Sequence, residues 1–422
     1  MTGVAILSGV FVLYALMASR LDRLSISAPM VFVFTGVILG SGVTDLIDIS
    51  LTSEPVLLVV EVTLALLLFA DASTIRLREV EDDARLPSRL LLIGLPLTIA
   101  FGTVIGALLF PAAGWAAAAL IGSILAPTDA ALGLAIFTNP EVPSRIRRAL
   151  NVESGLNDGI ATPFVALFLT VLVSEEAGSA GDWLLEAGKE IGLGLIVAVG
   201  LGLIGARLFR AAQQHGSISG VSEQLGIVSL ALLAYFGSVA IGGNGFIAAF
   251  VGGLTFGTST QGSLRQPTEF TETLGLFLSF FVWSVFGAIF VGPVLTARLG
   301  AAAIVYAVLS LTLVRMVPVA ISLVGTRLRF DTVALMGWFG PRGLASVVFT
   351  LVAVEAIHES GAAFDAIVEV ATWTILLSVL AHGLTAGPLS RAYGRRIQGA
   401  GDVPELSDVP EPRIRRRKIG TA

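Results

Sequence analysis

The 422-residue chain contains no cysteine, and only 14% of its residues are charged. Without thiols it has no disulfide framework and no thiolate for catalysis or metal binding. With so few charges, a soluble protein of this length could not cover its core. Apolar residues make up 55% and the mean hydropathy is +0.88, so the chain reads as an all-α polytopic membrane protein in a lipid bilayer. Its apolar runs are continuous rather than alternating, which argues against a membrane β-barrel. Histidine is also scarce: His215, His358 and His382 fall in loops or near span ends and read as solvated. No phosphate loop, metal-ligand cluster or nucleophile triad rises above chance. The expectation is therefore no enzyme, no cofactor and no nucleic-acid partner.

What is abundant is hydrophobic length. Apolar segments fall near 4–19, 28–41, 54–71, 90–110, 115–138, 152–173, 187–206, 223–241, 244–257, 272–294, 301–325, 332–356 and 364–388, about 13 transmembrane helices in all. The start Met1-Thr2-Gly3-Val4 lacks a basic region, so the first run reads as a retained span. With the N-terminus outside and the C-terminus cytoplasmic, inner loops and tail hold 22 of the 26 basic residues. Outer loops hold only Lys189 and Arg298, and Arg315 and Arg342 lie inside spans. That bias is what the positive-inside rule requires. Glycine is frequent, with 47 residues, as expected where helices pack closely in a membrane. Trp115, Trp183 and Trp283 read as headgroup anchors. Residues 395–422 are polar and end in Arg413-Ile414-Arg415-Arg416-Arg417-Lys418, a short disordered cytoplasmic tail that serves as a topology signal or contacts anionic lipid.

The rare intramembrane charges mark the chemistry, because burying them is costly unless they line an ion path. Pro127 interrupts the fifth span and is followed by Thr128 and Asp129; Gly340-Pro341-Arg342-Gly343 interrupts the twelfth. Two broken spans in corresponding places, seven apart and hence antiparallel, point to inverted repeats around a transporter site. Asp129 and Arg342 admit two readings: partners of an ion, or compensation for the exposed helix ends. In Asn151-Val152-Glu153-Ser154-Gly155-Leu156-Asn157-Asp158-Gly159, Glu153 and Asn157 share one face, and Ser154 and Asp158 an adjoining one. Asp158 sits about two turns into its span, where a carboxylate can take up a proton or an alkali cation in alternation. Ser154 and Thr128 offer the neutral oxygens a hard cation such as Na+ prefers. Glu153 reads as the ion-pair partner of Arg315, a brace with Asn157 bridging.

These residues carry a family resemblance. The chain resembles the monovalent cation–proton antiporters, in the NhaP/NHE-type sodium/proton exchanger branch. The motifs are Ala126-Pro127-Thr128-Asp129, Glu153-Ser154-Gly155-Leu156-Asn157-Asp158-Gly159 and Gly340-Pro341-Arg342-Gly343. Leu67-Leu68-Phe69 before Asp71 and the run Gly245 to Leu254 add to them. The resemblance covers nearly the whole chain. It implies a transmembrane antiporter domain over 1–394: a dimerisation part at about 1–88 and 223–294, a core part at about 89–174 and 301–390, and a linker helix at about 187–210. Spans 5 and 12 would cross as discontinuous helices in the core, and the protein would be a homodimer in the cell membrane. It implies that Asp158 binds the proton and the cation, with Thr128, Ser154 and Asp129 close by. Asn157, Glu153 and Arg315 would form the supporting cluster, and Arg342 and Asp129 would stabilise the crossing. Asn157-Asp158 in place of two acids resembles the electroneutral branch.

Two departures stand out. Ala70-Asp71-Ala72-Ser73 replaces a glycine-rich stretch, leaving Asp71 or Glu61 as the gating acid of the third span. Proline precedes Arg342 where relatives carry a larger apolar residue, which sharpens the break. The expected function is exchange of sodium or lithium for protons by alternating access. The alternative is potassium/proton exchange on the same scaffold. An intramembrane aspartyl hydrolase using Asp129 and Asp158, or an ion channel, are remoter readings.

Overall fold

Short of a closed barrel, only a helix lets backbone cross hydrocarbon with its amides and carbonyls paired. The computed structural model describes residues 2–40, 43–44, 46, 53–75, 85–177, 183–260, 269–296, 300–357, 361–399 and 403–407, and every regular element among them is helical. In chain order these are α1 (Thr2–Arg23), α2 (Ala28–Leu39), α3 (Glu54–Thr74), α4 (Arg85–Leu109), α5 (Gly114–Ile124), α6 (Leu134–Phe137), α7 (Ser144–Ala177) and α8 (Trp183–Gln214). They continue with α9 (Gly220–Ala240), α10 (Gly245–Thr260), α11 (269–296), α12 (Ala301–Leu311), α13 (Leu313–Ser322), α14 (Phe330–Trp338), α15 (Leu344–Ile357) and α16 (Ala362–Gln398).

Nine helices among the described residues are long and apolar enough to cross a membrane, with α12 and α13 counting as one interrupted span. Four shorter apolar helices accompany them: α2, α10, α15 and the segment Pro111–Ile124. The chain is thus a multi-pass membrane protein. The expected interruptions are present, because residues 125–133 and 339–343 carry no helix apart from turns. One boundary differs. α7 begins at Ser144, eight residues before the apolar segment, and its 34 residues make it about 51 Å long. Arg145, Arg147 and Arg148 in its first turns depress hydropathy without breaking the helix.

Two irregularities were invisible to hydropathy. Leu90–Gly94 in α4 and Gly287–Val291 in α11 are π-helical turns. Each ends two residues before a proline, Pro96 and Pro293 respectively. Proline has no N–H to donate, and a widened turn moves the missing bond by one register.

By compactness the chain divides into two units. One comprises Met1–Ser53, Asp83–Ser154 and Phe280–Ala422; the other comprises Glu54–Asp82 and Gly155–Ser279. In the second, α3 and α10 touch backbone to backbone: a methyl on Gly253 or Gly257 would strike the carbonyl of Phe69 or Ser73. In the first, Phe11, Tyr14, Phe32 and Phe280 form an aromatic cluster, with Phe32 and Phe280 stacked at 4.5 Å. Trp283, expected at a headgroup boundary, is instead 2% exposed and packs edge-on against Phe286. Trp115 is half-exposed, and the Trp183 side chain lies outside the described residues.

The expected tail is ordered at its start. Residues 395–398 complete α16, and Pro404–Leu406 forms a short turn docked on the first unit. Buried Glu405 accepts from the Arg329 N–H (2.7 Å) and the Thr332 hydroxyl (2.8 Å), at the start of α14. Tyr393 donates to the same Thr332 oxygen (2.9 Å), and Arg145 donates to the Pro404 carbonyl (2.7 Å). A carboxylate there offsets the positive end of α14, which has no side-chain cap of its own. The terminal basic run and His358 lie outside the described residues. Glu405→Ala strands those donors and costs roughly 1–3 kcal/mol. It should appear as a lower apparent Tm in detergent; an unchanged Tm contradicts the docked turn.

Candidate ion site at the helix breaks

α5 stops short of Pro127, and its last carbonyls need donors from elsewhere. Donors reach this end and the break after it from Arg342 and from the first turn of α15. The Ser346 hydroxyl donates to Ile124 O at 2.7 Å. Arg342 Nη1 donates to Ala126 O at 3.0 Å and Pro127 O at 3.5 Å, while Nη2 reaches Ser310 O at 3.3 Å. The return contact is acidic. Asp129 Oδ2 accepts from Leu344 N (3.2 Å), the first residue of α15, and Oδ1 accepts from Ala131 N (2.6 Å). Between these, Asp129 N donates to Pro341 O at 2.8 Å. The base sits on a negative helix end and the acid on a positive one. Of the two readings open for Asp129 and Arg342, this geometry displays helix-end compensation. Asp129 holds backbone amides with both oxygens.

The glycines of the second break are spacers. A methyl on Gly343 would occupy the Asp129 side chain, and one on Gly340 would enter the Arg315 guanidinium. Arg315 itself follows a further interruption, Thr312 between α12 and α13, with φ −111° and ψ −91°. Its Nη1 lies 2.6 Å from Glu153 Oε1, with the two side chains 1% and 2% exposed. Among the described residues, the remaining Arg315 nitrogens and Glu153 Oε2 have no hydrogen-bond partner, so charge holds the pair.

Thr128 and Ser154, the two expected neutral oxygens, meet at 3.2 Å and are buried. Asp158 follows Ser154 by one turn of α7 and is half-buried; Asn157 beside it is buried. Asp158 stands roughly four turns into α7, rather than two, because the helix starts earlier. Four residues beyond Gly159 comes Pro163, which cannot donate to the Gly159 carbonyl. The Thr162 hydroxyl meanwhile donates to Asp158 O at 2.9 Å. Of the acids of α3, Glu61 accepts from the Tyr235 hydroxyl, and Asp71 lies in the last turns.

One buried polar residue beside the second break was missed. His382, read as a solvated histidine near a span end, is fully buried within the 37-residue α16. Its Nε2 is 2.8 Å from Trp338 O, and its Nδ1 is 3.1 Å from Ser378 Oγ, which accepts the Arg342 backbone N–H at 2.6 Å. The available signal was the four-residue spacing of Ser378 and His382, which puts two polar groups on one face of an apolar span.

A family model described as the transmembrane sodium/hydrogen exchanger matches residues 8–392. The chain belongs to the sodium/hydrogen exchanger family. Among relatives, a Na(+)/H(+) antiporter of Schizosaccharomyces pombe is 27% identical over 66% of this chain and 65% of its own length. The K(+)/H(+) antiporter NhaP2 of Shewanella sp. (strain MR-4) is 27% identical over 44% of this chain and 33% of its own. The Na(+)/H(+) antiporter ApNhaP of Aphanothece halophytica is 26% identical over 83% of this chain and 67% of its own. The chain thus spans less than two thirds of the first two. The sodium proton antiporter MjNhaP1 of Methanocaldococcus jannaschii has the same fold, with a TM-score of 0.75 at 20% identity over 93% of this chain and 98% of that one.

In this exchanger-family chain, losing Glu153 or Arg315 alone leaves a buried charge and costs ~3–5 kcal/mol. The double substitution should cost less than the two singles combined, measured as a coupling between apparent stabilities in detergent. Additive losses contradict the pair.

Proposed function

We propose that this protein exchanges an alkali cation for protons across the cell membrane by alternating access. Asp158 carries either ion, and Thr128 and Ser154 supply neutral oxygens. The observation that carries this reading is the Thr128–Ser154 contact beside the first break, with Asp158 one turn along the same helix as Ser154. A carboxylate that binds a proton or a cation, never both, couples their movements by competition. Asn157 beside it adds no charge, so one proton and one monovalent cation neutralise Asp158 equally. That supports electroneutral exchange.

Sodium or lithium is the favoured cation, in keeping with the names of the fission-yeast and Aphanothece relatives. The Shewanella relative named for potassium keeps the second reading open on the same scaffold. Asp129 is occupied by two backbone amides, which weighs against a role in an aspartyl hydrolase dyad. Asp71, with Glu61 as its rival, is the proposed gating acid of α3. Glu153, Arg315 and Asn157 brace α7, and Asp129 and Arg342 hold the crossing. In this reading the core part (about 89–174 and 301–390) moves against a dimerisation part (about 1–88 and 223–294) in a homodimer. The basic-residue bias supports an outside N-terminus and a cytoplasmic C-terminus.

The test is proton flux in proteoliposomes driven by sodium, lithium or potassium gradients. Wild-type protein should acidify or alkalinise the lumen with sodium or lithium, and Asp158→Asn should abolish the response. A cation-dependent pH change retained by Asp158→Asn would overturn the assignment. A response to potassium alone would select the second reading.

A further inference from the structure

A break inside a membrane helix frees polar groups on both of its sides. At the second break, Trp338 O closes α14, and the Arg342 N–H precedes α15. Both are met by one turn of α16. The carbonyl of Trp338 can only accept, so His382 Nε2 carries the proton of their 2.8 Å contact. The Arg342 N–H donates to Ser378 Oγ at 2.6 Å, and that hydroxyl lies 3.1 Å from His382 Nδ1. The Ser378 carbonyl lies 3.0 Å from the same ring nitrogen. The Trp338 ring covers the imidazole at 5.0 Å between centroids, and its Nε1–H is tied to Thr385 Oγ1 at 3.0 Å. The imidazole is therefore held in position and tilt, with no exposure to solvent.

The other end of Arg342 gives this lock its reach. Its guanidinium holds the carbonyls of Ala126 and Pro127, immediately before Thr128. We propose that His382, acting with Ser378, is a positioning residue for cation binding: it fixes the Arg342 backbone, and Arg342 in turn sets the first break and the Thr128 oxygen. The inference rests on the exchange reading above. It assigns His382 no contact with the ion and no proton to carry.

The test is a sodium titration of exchange in proteoliposomes, paired with amide hydrogen exchange across 339–346. His382→Leu and Ser378→Ala should each raise the apparent KM for sodium by about tenfold, the equivalent of one lost hydrogen bond, with little change in kcat. The double variant should do no worse than either single one. His382→Gln keeps one donor and one acceptor and should restore KM to within about twofold. Amides 342–344 should exchange faster in the first two variants and not in the third. A merely structural histidine would lower the yield of folded protein and leave KM alone. A normal KM in folded His382→Leu or Ser378→Ala overturns the proposal, as does equal loss in His382→Gln and His382→Leu. If His382→Leu does not fold, Ser378→Ala and His382→Gln decide. If wild-type protein moves no alkali cation, the exchange reading fails, and amide exchange still tells whether the lock exists.

Discussion

Everything at the centre of this protein depends on pairing backbone groups where neither water nor helix can do so. Two spans give up their helical bonds at mid-length, and lipid offers no replacement. The replacement is reciprocal: Arg342 of one break holds the carbonyls of the other, and Asp129 of the other holds an amide beyond the first. The Asp129 N–H to Pro341 O bond joins the two peptide segments directly. Such an arrangement tolerates little change in size, which is why glycines stand at 340 and 343. Arg342 also matters as a planar fork, since its two terminal nitrogens serve different segments.

The Glu153–Arg315 pair answers a different demand. It lacks the full set of hydrogen bonds that would make a buried ion pair strongly favourable. Its value lies in geometry, since it fixes α7 against the unwound residue at Thr312, one turn ahead of the carboxylate proposed to carry ions. Brace and proposed site thus share α7, with the two acids five residues apart.

Much of this was legible in the sequence, and the reasons differ. The breaks were visible because proline and paired glycines within apolar runs have few other meanings. The ion pair was visible because each charge stood nearly alone in its span. The helical class and the candidate spans followed from hydropathy. The π turns were not, since a proline after a long apolar run predicts a kink without saying how the missing bond is relocated. The start of α7 was hidden because hydropathy reports the membrane and not the helix. His382 was misplaced because distance from a predicted span end says little about burial when the helix runs on, as α16 does to Gln398, whereas Trp283 stands mid-way along α11, where an aromatic ring packs into the core. Glu405 was unreadable, because its partners lie 76 and 73 residues earlier and no local pattern marks them.

That last separation bears on biosynthesis. The opening turn of α14 is capped by a residue that leaves the ribosome 76 residues after Arg329. Until then the half-helix carrying the second break has an unanchored start, although the segments it must cross are already made. Assembly of the crossing can begin during translation, but it can be secured at this end only after Glu405 has emerged. The crossing is therefore completed well after its first half, encoded before residue 130, has been made.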